Sequence, residues 1–239
     1  VADPNIVLNT IVAESFSAAV DALGGAQDFE KACAAYTNKL LKEHYRIIFN
    51  YNGYGPDWEA EAERRGLLNN KTTADAVPEF FRRENIDVFV RQGVYTEKEV
   101  VARADIMLEN YVKTINIEAL TMLEMGRQDI YPAVNGYIAE ICSVIAAKRA
   151  VSEKFACAAD TALAEQLSLM NEALMQALKK LEKDLREMPA GVGPASQKMA
   201  HVIVPDMEAV RTVADGMEQL CSSDYWPYPT YEDLLYSIR

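Results

Sequence analysis

With 239 residues, half of them apolar and a quarter charged, the chain is globular rather than disordered and has enough apolar material to bury a core. Its 36 acidic and 24 basic side chains leave a formal charge of −12, a field that repels phosphate backbones and anionic lipid and speaks against a nucleic-acid or membrane partner. The longest apolar runs, such as residues 141–147, are too short to span a bilayer, and no basic stretch leading into an apolar one marks a signal peptide at the start.

Nearly everything reads helical. Asp3-Pro4-Asn5 offers turn or cap chemistry ahead of Ile6, Val7, Ile11, Val12 and Phe16, whose spacing predicts a helix stopped by Gly24-Gly25. A second helix is expected from about Asp28 to Tyr45, with Phe29, Cys33, Tyr36, Leu40 and Leu41 on one face. Arg46-Ile47-Ile48-Phe49 fits a short strand or a last helical turn, and Asn52-Gly53 and Gly55-Pro56 are turn dipeptides. Three short helices follow. One runs from Pro56-Asp57 past Trp58 to Gly66, one is capped by Thr72-Thr73 and contains Pro78, and one begins at Asn85 and ends near Gly93.

The second half is more regular. Thr96-Glu97-Lys98-Glu99 has the form of a capping box at the head of a long helix that continues, kinked near Pro132, to about Ile145. Between Ser152 and Met188, the residues Leu163, Leu167, Met170, Leu174, Ala177, Leu181 and Met188 form a seam in heptad spacing. Residues 188–196 form a linker around Gly191 and Gly193, which makes the helices on either side antiparallel neighbours. Pro205 kinks or restarts the last long helix. Pro227 and Pro229 then hold the chain extended before Thr230 and Asp233 start a final turn, whose Leu234 and Leu235 are expected to dock on the body. The fold class is all-α, a helical bundle with several long antiparallel helices and short helices in the first half. We divide it into residues 1–95 and 96–239, packed as one unit.

A search for chemistry returns no catalytic, cofactor-binding or metal-ligating residue. Gly53-Tyr54-Gly55 lacks the spacing of either phosphate loop, and Lys71 beside the two threonines is explained by capping. His44 and His201, the two histidines, form no metal-binding spacing. Cys33, Cys142, Cys157 and Cys221 contain no CxxC pair and read as buried free thiols in a reducing cytoplasm. Glu59-Glu61-Glu63, Glu97-Glu99 and the cluster Lys179, Lys180, Glu182, Lys183 and Asp184 read as solvated faces. Met107, Met122, Met125, Met170, Met175, Met199, Met207 and Met217 fit core gap-filling better than a promiscuous binding groove.

Several long phrases resemble one family. Asp3–Glu14, with Pro4-Asn5 followed by Val7-Leu8-Asn9-Thr10-Ile11-Val12-Ala13-Glu14, is similar to a segment of type III glutamine synthetases. So are Lys42–Trp58, Arg64–Pro78, Asn110–Met122 with the preceding Glu109, and the WPYPTYEDLL ending. The resemblance implies the C-terminal helical region of an enzyme that joins glutamate and ammonia using ATP and divalent Mg or Mn. It also implies that the metal- and substrate-binding segments precede Val1, that no cofactor is held here, and that the chain is inactive alone. Its implied partners are the catalytic barrel of the same polypeptide and the other subunits of a cytoplasmic homo-oligomer. The alternative is a free-standing helical protein–protein interaction module. The two differ at the first helix: a domain belonging to a larger enzyme exposes apolar surface near Ile6, Val7 and Ile11, whereas a finished adaptor buries it.

Overall fold

The computed structural model describes residues 2–50, 52–55, 57–229 and 231–236. Among them every regular element is a helix. The chain divides into two compact units, Val1–Leu108 and Glu109–Arg239.

The first unit contains α1 (Ala2–Leu23), α2 (Phe29–Glu43), α3 (Asp57–Arg64), α4 (Thr73–Ala76), α5 (Arg83–Arg91) and the start of α6 (Glu97–Glu124). Helix α1 already runs from Ala2, so Asp3-Pro4-Asn5 is its first turn and not a cap before it. A proline there costs nothing, because the N–H it lacks has no partner in the first turn anyway. After Leu23 the chain turns at Gly24, whose N–H reaches Val20 O at 2.8 Å. Asp28 caps α2 by accepting from the Lys31 N–H. A single 3-10 turn at Tyr45–Ile47 then replaces both readings of the following segment. Gly66 and Gly93 stop α3 and α5 with φ of +65°, a left-handed conformation that a side chain disfavours. Thr72 caps α4, and Pro78 falls in a 3-10 turn at Val77–Phe81. The small core of this unit is Ile86, Phe89 and Val100, with Ile6, Val7, Phe80 and Tyr95 packed against it.

Helix α6 opens on the predicted capping box. The Thr96 N–H donates to Glu99 Oε2 at 2.7 Å, and the Glu99 N–H returns to Thr96 Oγ1 at 3.3 Å.

The second unit takes the rest of α6 and α7 (Tyr131–Val151), α8 (Ala158–Arg186), α9 (Val192–Lys198), α10 (Val204–Glu218) and α11 (Tyr231–Tyr236). Helix α8 is its axis, with Leu167, Leu174, Leu178 and Leu181 wholly buried. Leu163, Met170, Ala177 and Met188 of the predicted seam pack at its margins. Three polar ties fix α8 antiparallel to the α6–α7 run: Arg127 to Glu182 at 2.5 Å, Asn171 to Asn135 at 3.0 Å and Lys148 to Asp160 at 2.6 Å. On its other side α8 packs on α10. Lys180 meets Asp206 there, and Gly216 approaches Met170 so closely that a Cβ would come within 2.8 Å of its methyl.

The expected kinks are π-helical turns. Met125–Ile130 precedes Pro132 and Met199–Ile203 precedes Pro205. Each proline leaves the carbonyl four residues upstream without an α-helical donor, and a wider turn reroutes the backbone bonds around that gap.

The tail departs from expectation. Leu234 and Leu235 are 66% and 69% exposed and do not dock. Upstream aromatics hold the tail: Tyr225 packs on Gly136 and Tyr137, Trp226 is half-buried, and the Tyr228 hydroxyl donates to Asp129 Oδ2 at 2.8 Å. Burial and the Asp129 carboxylate push the Tyr228 phenol far above its ordinary range. The expected cap Thr230 lies outside the described residues.

Candidate functional site

Among the described residues, many of the chemically capable side chains pair with one another. Glu61 is held down to about 2 by hydrogen bonds from Arg64 and then Arg65. Arg65 also donates to the carbonyls of Arg46 and Ile48, and its guanidinium lies 5.4 Å from the Phe49 ring, which contacts Trp58 at 4.3 Å. These bonds brace the segment before α3. Asn52-Gly53-Tyr54-Gly55 is an Asx turn in which Asn52 Oδ1 accepts from the Tyr54 N–H at 3.0 Å. Lys71 pairs with Glu59 at 2.6 Å, and Thr72 is a cap. Among the described residues, no group of three or more His, Cys, Asp or Glu is placed to hold a metal ion.

Two readings need correction. The basic cluster on α8 is not merely a solvated face. Lys180 bridges Asp184 and the 6%-exposed Asp206, while Glu182 accepts from both Arg127 and Arg186. Burial raises the Asp206 carboxyl, whereas hydrogen bonds from Asp206 and then Lys180 lower Asp184. Of the four free thiols, Cys157 and Cys221 are buried, Cys33 is half-buried, and Cys142 is exposed because it sits on the outer side of α7. The methionines mostly follow the core reading: Met199 and Met217 are fully buried, and Met122, Met170, Met175 and Met207 pack around them.

What remains open is a surface. Helix α1 carries two apolar stripes on opposite sides. The inner one, Ile6, Val7 and the buried Thr10, faces the α5 core. Glu14 extends it, accepting from Arg91 Nε at 2.9 Å and from Gln92 at 2.7 Å. These bonds, Arg91's first, lower the Glu14 carboxyl and keep it charged. The outer stripe, Leu8, Val12, Phe16 and Val20, lies in solvent, with Phe16 69% exposed, while Ile11 sits between the two stripes, part-exposed beside Val7 and Phe80. Of the three residues expected to be exposed, Ile11 is, whereas Ile6 and Val7 are half-buried because they pack on the α5 core; Leu8, Val12 and Phe16 carry the exposed line onward. Helix α2 has no buried residue and leaves Phe29, Leu40 and Leu41 exposed as well. By length and composition alone, Ala2–Leu23 and the run Glu97–Val151 are apolar enough to cross a membrane, which uninterrupted run length had not suggested. For α1 the cause is its double-sided apolarity, which puts apolar residues at most positions without a long continuous run.

An exposed apolar stripe of this kind is a feature of surfaces that meet other proteins. Comparison with known proteins says which kind of domain carries it. The family profile of the glutamine synthetase C-terminal domain matches residues 32–149. The glutamine synthetase of Butyrivibrio fibrisolvens is 34% identical over 228 residues, which is 94% of this chain and 32% of that protein. The type-3 glutamine synthetase of Dictyostelium discoideum is 29% identical over 247 residues, 98% of this chain and 33% of that protein. The glutamine synthetase of Bacteroides fragilis (strain YCH46) is 24% identical over 215 residues, 83% of this chain and 29% of that protein. The chain thus spans about a third of the length of the curated relatives it matches. Three of the five segments that carried the resemblance, Lys42–Trp58, Arg64–Pro78 and Glu109–Met122, lie inside the matched residues, whereas Asp3–Glu14 and the WPYPTYEDLL ending lie outside them. The chain belongs to the glutamine synthetases as their C-terminal domain, with the type-3 enzymes among its relatives.

Proposed function

We propose that this domain serves ATP-dependent glutamine formation structurally: the outer stripe of α1 seats the catalytic barrel of the enzyme, and the helical body supports its oligomer. The observation that carries the reading is the solvent-open line of Leu8, Val12, Phe16 and Val20 on a helix whose other side is already packed. Completing the burial of four such side chains is worth at most about 1.5–3 kcal/mol each, from which the cost of ordering the contact is subtracted. In the whole enzyme, ATP and Mg or Mn act on the catalytic part, and the domain sits in the cytoplasm with it. No residue of this chain is given a catalytic role.

The size of the native polypeptide in source cells, read with an antibody raised against this chain, tests the proposal. A band far larger than 239 residues would account for is expected. A band of the chain's own size would overturn the reading in favour of a free-standing interaction module. The purified chain, given ATP, glutamate, ammonia and Mg, is expected to release no phosphate; turnover would equally overturn it.

A further inference from the structure

A second exposed line lies on α6 within the second unit. Lys113, Ile117, Leu120 and Glu124 are spaced four, three and four residues apart, so they share one narrow face of the helix. All four are exposed, Ile117 by 64% and Leu120 by 51%. The order along the helix is cation, apolar, apolar, anion. That order is its own complement when read backwards. Two copies of α6 laid antiparallel about a point midway between Ile117 and Leu120 place Ile117 against the other copy's Leu120. The same operation places Lys113 against the other copy's Glu124, and it does so twice, as a two-fold contact requires. Beside the line runs a shallow groove in which Leu120, Leu123 and Leu185 lie among charged and polar side chains, Glu124, Arg127 and Arg186 included. Among the described residues Lys113 makes an exposed pair with Glu109 at 3.1 Å, which costs little to share.

We propose that this face is a two-fold contact between two copies of the chain, with α6 antiparallel to its counterpart. The occupant follows from the charge pattern: a partner with one sign of charge, or a lipid surface, satisfies only one end of the line, whereas a second copy satisfies both. The contact does not depend on what covers α1.

Charge exchange tests it. Sedimentation equilibrium is run on the full chain carrying Phe16→Asp, so that the outer stripe of α1 does not drive association. Lys113→Glu and Glu124→Lys are each expected to weaken self-association about tenfold, since each turns two attractive pairs into two repulsive ones. The double variant, with the charges exchanged, is expected to recover the parent's association. A parent that stays monomeric overturns the contact. Single exchanges that leave association unchanged, or a double variant as weak as the singles, overturn it as well. None of these results bears on the seating of α1, which the background substitution has removed from the measurement.

Discussion

Gly126 shows how tightly the second unit is filled. A Cβ added there would lie 2.9 Å from both methyls of Leu178, a side chain with no exposed surface into which to retreat. Gly126→Ala gains helix propensity of up to about 1 kcal/mol but loses about 1–3 kcal/mol to overpacking. The expected net outcome is a lower urea midpoint with an unchanged m-value. At Asp206 the governing effect is protonation. Its folded carboxyl holds a proton more tightly than the unfolded one because burial disfavours the charge, so the stability it contributes is present at low pH and lost as pH rises through the raised value. Asp184, lowered by its hydrogen bonds, has the opposite sign: its contribution is present at higher pH and lost on acidification. Asp206→Asn keeps a neutral group against Lys180 and Asp184. Its urea midpoint is therefore expected to gain on the parent's as pH rises from about 4 towards about 7. A gap that stays constant across that range would show that Asp206 does not titrate there.

At the scale of elements, the seam buries α8 and the box caps the start of α6. Leu174→Ala empties a fully enclosed site and is expected to cost about 2–5 kcal/mol, whereas Thr96→Ala removes one cap and costs about 1 kcal/mol; thermal melts of the two rank the effects. Both features were legible in the sequence because each is a local pattern of fixed spacing: heptad leucines in one case, Thr-x-x-Glu in the other. The π turns were not legible. Pro132 and Pro205 announce a disturbance, but a missing backbone donor is answered equally by a bend, a break or a widened turn, and spacing alone does not choose among them. The Lys180–Asp206 contact was equally hidden, since its partners are 26 residues apart and join two helices. Leu234 and Leu235 misled for the complementary reason: an apolar pair near a terminus reads as an anchor, yet Tyr225, Trp226 and Tyr228 had already tied the tail down.

For the whole molecule, the decisive property is apolar surface that folding leaves uncovered. The first helix keeps one side for its own core and leaves the other, with Leu8, Val12 and Phe16, in water. Replacing Phe16 by Asp is expected to change thermal stability by no more than about 0.5 kcal/mol, because the side chain touches little in the folded chain. The same substitution is expected to reduce binding of an apolar dye. A large loss of stability would mean that the outer stripe is part of the fold and not a surface held for a partner.

The three polar ties along α8 have a mechanical consequence. Arg127–Glu182, Asn135–Asn171 and Lys148–Asp160 fasten the 29-residue helix to its neighbour near both ends and in the middle. At 1.5 Å per residue that is a rod of roughly 44 Å. To slip by one turn it must break all three fastenings together, so a push delivered at one end arrives at the other as displacement, without being absorbed by sliding. The helix is a strut, stiff along its length, between whatever bears on its two ends.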